Sequence, residues 1–133
     1  MLFRSLADLA PLAALDVDLV SLQKELRPRD AEAAALLGIR HFGDALTDFS
    51  VTAALAANLD VVLSVDTSVA HLAGALGREV WILLPFRGLD WRWLLDREDS
   101  PWYPTARLFR QDRNEPWATM LHRVARALQE RLA

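Results

Sequence analysis

The chain has 133 residues, is 53% hydrophobic, carries a net charge of -3 and contains no cysteine. That length and apolar content suffice for one compact domain with a real core. The charge gives no electrostatic footprint for nucleic acid, and the lack of cysteine excludes disulfides, thiolate metal sites and cysteine nucleophiles while suiting a cytoplasmic protein.

The first fifteen residues pass briefly for a signal sequence, but Asp8 interrupts them and no small-residue cleavage site follows. Leu2, Leu6, Leu9 and Ala13 recur at the spacing of one helix face instead. No apolar run reaches the roughly 18 residues of a membrane span. Lys24 is the only lysine among many arginines, which in so alanine-rich a chain reflects genome composition more readily than phosphate recognition.

Val17 to Leu22 is apolar and β-branched and reads as a strand. Gln23, Lys24 and Glu25 fall at its carboxyl edge, where a polar residue can meet a ribose hydroxyl or simply form a solvated turn. Pro28 opens a helix over Asp30 to Leu37, closed by Gly38, and Ile39 to Phe42 is a second short strand. Asp48 or Ser50 caps the next helix, and Phe49 beside it is placed either to flank a base or to enter the core.

Val61 to Val65 is the kind of apolar run expected of a strand covered on both faces. A helix follows from Thr67 to Leu76, with Gly77 as its left-handed cap. Val80 to Leu84 is another buried strand stopped by Pro85, and Arg107 to Phe109 an edge strand. Pro116 opens a last helix with Trp117, Met120, Leu121, Val124 and Leu128 on one face. Alternation of this kind, without a linker, predicts a single α/β domain over 1–133 of Rossmann-like type, a parallel sheet with helices on both sides.

The chemistry gathers at the turn from Val65 to Ser68. In open α/β sheets ligands sit beyond the carboxyl ends of strands, where a helix start offers unpaired N–H groups and a positive dipole end. Asp66, Thr67 and Ser68 stand at this start, the last two adding hydroxyls, and His71 shares their face and leans back toward the N-terminus. Val69, Leu72, Ala73 and Leu76 make the opposite, core-facing stripe, and Ala70 and Gly74 read as small residues that permit close helix–sheet approach. The same residues also suit a plain N-cap beside a surface histidine.

Pro85 to Pro104 holds Trp91, Trp93, Trp102 and Tyr103 among arginines and acids. Three tryptophans argue against disorder. The segment reads either as a wall beside the anion site or as aromatics packed over the sheet edge, the reading preferred for Trp91 and Trp102. Asp90 near Arg92 and Asp96 near Arg97 have no spacing that marks an acid/base pair. His41 and His122 show no metal-ligand spacing, and no glycine-rich phosphate loop is present.

Thr47 to Gly77 (TDFSVTAALAANLDVVLSVDTSVAHLAGALG) and Asp90 to Gln111 (DWRWLLDREDSPWYPTARLFRQ) resemble the nucleotide-sugar-binding half of GT-B glycosyltransferases. The nearest group is glycosyltransferase family 9, with its heptosyltransferases, above all bacterial proteins that set such a domain behind tetratricopeptide repeats. The resemblance runs from about Arg4 to about Gln111 and is most specific in Ser64 to His71 and in the tryptophan loop. It implies that Asp66, Thr67, Ser68 and His71 hold the donor's diphosphate, and that Gln23 to Glu25 and Asp48 to Phe49 face the nucleoside. Relatives often have glycine where Ser68 stands, and Arg87-Gly88-Leu89 is a residue longer than their link.

The resemblance further implies an incomplete GT-B C-terminal domain. The acceptor domain with the catalytic base would precede this chain, as would the donor domain's first, central strand. The Val17 and Val61 strands would then lack their shared neighbour, which favours self-association or a complementing chain. The partner implied is a nucleotide diphosphate or nucleotide sugar, as substrate rather than cofactor, with no metal and no catalytic residue of the chain's own. The rival readings are a non-enzymatic interaction module with an idle site and a subunit whose acceptor domain lies on another chain.

Overall fold

The computed structural model describes residues 5–87 and 91–133, so the expectations placed on Leu2, Gly88, Leu89 and Asp90 lie outside the described residues. The chain is α/β, with parallel strands throughout its sheets. It folds as two compact units, one formed by the chain up to Thr47 together with Glu115–Ala133, the other by Asp48–Asn114. The strands form two sheets rather than the single one expected.

In the first unit, a 3₁₀ turn at Leu6–Leu9 leads into α1 (Ala10–Ala13). Strand β1 covers Val20–Ser21 and pairs in parallel with β2, Arg40–His41, so both are shorter than their apolar runs suggested. Between them α2 spans Pro28–Leu36, with proline at its start and Gly38 at φ 68 beyond its end. The final helix α5, Trp117–Leu132, buries Met120, Leu121, Val124, Ala125 and Ala127 and packs against the turn and α1, where Leu12 is buried. Its apolar residues fall at helical spacing on one face, so burial rather than propensity holds it.

One buried carboxylate ties this unit together. Asp30, 4% exposed, accepts the Leu6 N–H at 2.9 Å on Oδ1 and the Arg27 Nε–H at 2.6 Å on Oδ2. Burial raises its pKa, but the Leu6 N–H and the Arg27 guanidinium together outweigh it and hold the group below its ordinary value.

The second unit carries the three-stranded sheet β3-β4-β5: Val62–Val65, Val80–Leu84 and Ala106–Arg110. β4 lies in the middle, bonded on both sides, and all five of its residues are buried, as a run of VWILL requires. Two helices complete the unit, α3 at Phe49–Ala57 and α4 at Ser68–Ala75. α4 packs on β3 and β4, and its small residues Ala70, Ala73 and Gly74 are fully or nearly enclosed. This corrects the expected stripe: Val69 and Leu72 are half-buried and Leu76 is exposed. Small residues bring the helix axis close to the sheet, and the larger aliphatics sit at the margins of the contact.

Among the described residues β3 pairs with β4 alone, so it has one bonded edge and one open edge within its sheet. The Val62 N–H bonds Glu79 across the β4 side. By the alternation of a parallel ladder, the peptide groups of Leu63 and Val65 face the open edge.

The Asp30 cluster has a testable consequence. Asp30→Asn should lower the urea-unfolding midpoint at neutral pH by an amount equivalent to about 1–2 kcal/mol, since the Arg27 pairing loses its charge. A depressed carboxyl pKa contributes stability above the unfolded-state value, about 3.9, that is lost as pH falls through the folded-state pKa. The wild type should therefore lose more stability than the variant between about pH 5 and the acid limit of folding.

Candidate functional site

The strand-to-helix turn between β3 and α4 lies at the carboxyl end of the parallel sheet, with Thr67 extended at the N-cap position (φ -137, ψ 173). Its side chain does not cap. The Thr67 Oγ1 lies 3.0 Å from Ser64 Oγ, and Ser64 Oγ donates to the Val65 carbonyl at 2.8 Å. A hydroxyl has one proton. Ser64 spends its own on Val65, so Thr67 donates to Ser64 and has no proton left for an anion.

The N–H groups of Ser68 and Val69 consequently meet no acceptor among the described residues. Ser68 is exposed and its hydroxyl is uncommitted. Two parallel N–H donors, a hydroxyl and the positive end of the helix dipole together suit a polyoxyanion. The α3 start is the opposite case. There Asp48 Oδ1 accepts from Ser50 N at 2.9 Å, Val51 N at 3.1 Å and Ser50 Oγ at 2.6 Å, closing the turn with its own carboxylate. These bonds, the Ser50 hydroxyl first, hold the Asp48 pKa below its ordinary value although burial pulls the other way.

His71 leans back toward the turn as expected, its Nε2 3.3 Å from Asp66 Oδ1. It does not stand on a free polar face, however. Its Nδ1 lies 2.9 Å from the Tyr103 hydroxyl, and its ring stacks on Trp93 at 5.3 Å and 27°. Trp93 is fully buried and also packs against Tyr103 at 6.1 Å. Gly74 makes room for this cluster, because a Cβ there would fall 2.6 Å from Tyr103 Cγ. The imidazole keeps 31% of its side-chain surface, enough to meet a ligand.

The aromatic segment is a built structure. A 3₁₀ turn at Trp91–Trp93 and a single antiparallel bridge, Asp99 to Arg107, anchor its two ends. Ser100, buried, accepts the Trp102 N–H at 3.1 Å. Arg110, at the end of β5, donates to the Trp93 carbonyl and, at 3.0 Å, to the Arg97 carbonyl. Burial lowers the Arg110 pKa, and the nearby Asp96 carboxylate partly restores it. Between those two clamped carbonyls Leu94 and Asp96 take left-handed backbones, φ 53 and 54, a costly conformation for leucine.

Trp91 and Trp102 do not pack over the sheet edge. They are 62% and 52% exposed, meet edge-to-face at 5.1 Å, and share the Arg92 guanidinium, 4.7 Å above Trp91 and 6.0 Å from Trp102. Arg97 pairs with Asp99 at 2.6 Å rather than with Asp96.

Among the predicted site residues, Asp66, Thr67, Ser68 and His71 come together at the α4 turn. Asp48 and Phe49 begin α3, which packs against α4. Phe49 is 56% exposed and so is no core residue. Gln23, Lys24 and Glu25 belong to the other unit, follow β1 and are exposed. The Lys24 carbonyl faces Gly43, where a Cβ would come within 2.0 Å. Trp93 and Tyr103 of the aromatic segment stand against His71, as the wall reading of that segment expects, while Ser64 and Gly74 join the site without having been assigned to it. No group of three or more His, Asp or Glu among the described residues could hold a metal ion, and no described helix is long and apolar enough to cross a membrane.

The Arg110 clamp can be tested directly. Arg110→Met should lower the melting temperature and raise hydrogen exchange at Leu94 to Arg97. Leu94→Gly, which removes an exposed side chain but also the left-handed strain, should hold stability or raise it by up to about 1 kcal/mol.

No protein-family model matches the chain, and no solved structure matches it. It is 33% identical over 87 residues to protein FlbA of Caulobacter vibrioides. That alignment takes in 65% of this chain and 14% of FlbA, so the chain spans a small part of the length of the curated relative it matches.

Proposed function

We propose that the second unit binds the diphosphate of a nucleotide or nucleotide sugar at the first turn of α4, as the donor-binding half of a family 9-like glycosyltransferase. The observation that carries this reading is the open turn itself. Thr67 occupies the cap position, yet its hydroxyl is turned to Ser64, and the Ser68 and Val69 N–H groups are left for an outside acceptor. A helix whose N-cap residue is only structural uses its side chain, as Asp48 does at α3.

In this reading Ser68 and Val69 take phosphate oxygens, His71 lies at the rim and Asp66 orients it. Departure of a diphosphate would be helped by the helix dipole and the fixed N–H donors. Asp48 and Phe49, at the start of α3 in the same unit, remain candidates for the nucleoside. Transfer needs an acceptor domain and a base, supplied by a preceding domain or a second chain, so the chain alone binds without turning over. The match to a small part of a much longer protein is compatible with such an arrangement. A cytoplasmic location, where a cysteine-free chain is at home, belongs to the same reading.

A second reading rests on a separate observation. Trp91, Trp102 and the intervening Arg92, with exposed Leu94 and Leu95, have the residue types of a protein-binding hot spot. An interaction module that keeps the fold and no longer binds nucleotide would use that patch. The open edge of β3 is a further surface for self-association.

Calorimetric titration with ADP, UDP and GDP separates the readings. Ser68→Pro removes one N–H and the hydroxyl while suiting the first helical position, and Thr67 already has the extended backbone that precedes proline. It should leave the melting temperature unchanged and weaken the preferred nucleotide by about tenfold or more, as loss of charge-assisted hydrogen bonds requires. Thr67→Val should cost less, because that hydroxyl has no proton to give. Absence of binding at millimolar nucleotide in the wild type would leave the interaction module.

A further inference from the structure

His71 is gripped at both ring nitrogens by residues from different parts of the chain, Asp66 just before α4 and Tyr103, thirty-two residues after the histidine. We propose that Tyr103 is a positioning residue for His71, its hydroxyl setting the tautomer and the orientation of the imidazole beside the open helix turn. The functional consequence rests on the diphosphate reading; the positioning itself does not.

The argument begins with proton inventory. A carboxylate only accepts, so the ring nitrogen facing Asp66 carries a proton, and that nitrogen is Nε2. In a neutral imidazole the other nitrogen is then an acceptor. At 2.9 Å from Nδ1 the Tyr103 hydroxyl is the group that donates to it. If the ring takes a second proton, the same hydroxyl accepts from Nδ1–H, so one residue serves both states. Phenylalanine would serve neither, and the ring could then turn over about its broad terminal torsion.

Packing makes the hydroxyl's position reliable. The Tyr103 ring lies against Gly74, where no side chain fits, and the edge of His71 meets it at 5.7 Å and 63°. On the other side Trp93 stacks on the imidazole. The backbone that carries Trp93 is fixed by Arg110, and the Tyr103 carbonyl accepts the Ala106 N–H at 3.1 Å just ahead of β5. The aromatic segment thus delivers two rings to one histidine. An imidazole so held keeps a single orientation beside the helix turn, and little side-chain freedom is left to lose when an anion arrives.

The test uses the full chain with ¹⁵N-labelled histidine, His71 being assigned by loss of its signals in His71→Asn. Long-range ¹H–¹⁵N spectra of the wild type should show the Nε2–H tautomer with a hydrogen-bonded Nδ1. Tyr103→Phe should shift Nδ1 toward the free-acceptor position and populate the second tautomer. It should also weaken ADP, or whichever of ADP, UDP and GDP binds best, by about 2- to 10-fold, the effect of one hydrogen bond. Gly74→Ala, which displaces the tyrosine while leaving both rings chemically intact, should reproduce both changes and decides the matter if Tyr103→Phe does not fold. Trp102→Ala, exposed on the same segment, should alter neither.

Unchanged His71 resonances in Tyr103→Phe would overturn the proposal, whatever the nucleotide result. Changed resonances with unchanged nucleotide affinity would overturn its bearing on the anion site. A wild type that binds no nucleotide would defeat the diphosphate reading alone, and the imidazole spectra would still decide the role of Tyr103.

Discussion

The second unit depends on β4 being bonded in parallel on both sides. Parallel pairing sends the carboxyl ends of β3 and β5 to the same edge of the sheet. At one of these ends stands the turn into α4; at the other, Arg110. From there the guanidinium reaches the carbonyls of the aromatic segment, which precedes β5 in the chain, so the strand's last residue fixes the shape of the stretch that led into it. A slip of one residue in the β4–β5 register would carry Arg110 to the other face of the sheet and release the segment.

Local costs are accepted around this edge. Leu94 and Asp96 hold left-handed backbones, and the enclosed Trp93 indole N–H has no acceptor among the described residues, an arrangement worth about 1–3 kcal/mol against folding. Burying an indole of roughly 200 Å² returns about 5 kcal/mol, so packing wins and the orphan donor persists. Cost of this kind is usually found where a surface has been shaped for something other than stability. The contrast between the two helix starts points the same way. α3 is sealed by its own aspartate, whereas α4 has a threonine that could have capped and bonds a neighbouring serine instead.

What could be read in the sequence was what depends on neighbours in the chain. Val80 to Leu84 was legible to the residue, because a five-residue apolar run ending in proline has few other fates. The Gly38 and Gly77 terminators and the amphipathic last helix were legible for the same reason, and the caps of α3 and α4 to within a choice of two residues, Asp48 or Ser50 and Asp66 or Thr67. So were Asp66, Thr67, Ser68 and His71 as one cluster, since helical spacing alone puts them together.

The rest depends on partners far away in sequence. Hydrophobicity also placed Leu72 and Leu76 of α4 in the core, where the structure leaves them half-buried and exposed; the close approach at Ala70, Ala73 and Gly74 was legible, but the ring of Tyr103 that Gly74 makes room for was not. Nothing in the spacing of His71 and Tyr103 announces a hydrogen bond. Trp91, Trp93 and Trp102 look alike on the page, yet one is enclosed and two are exposed, a difference set by where Arg110 and Ser100 hold the backbone. Strand lengths failed at β1 because an apolar run marks what can pair, while a ladder extends only as far as its neighbour.

The division of the chain has a consequence for how it folds. The second unit is continuous, and its sheet and helices come from one stretch, so its contacts can form as soon as that stretch has left the ribosome. The first unit is discontinuous. Its first helices pack against α5, which emerges only after the whole second unit has intervened. Until then the surface that Leu12 helps to bury is uncovered, and the entropy of closing so long a loop opposes its completion. In vivo the exposed interval is where a holdase chaperone would act on this protein.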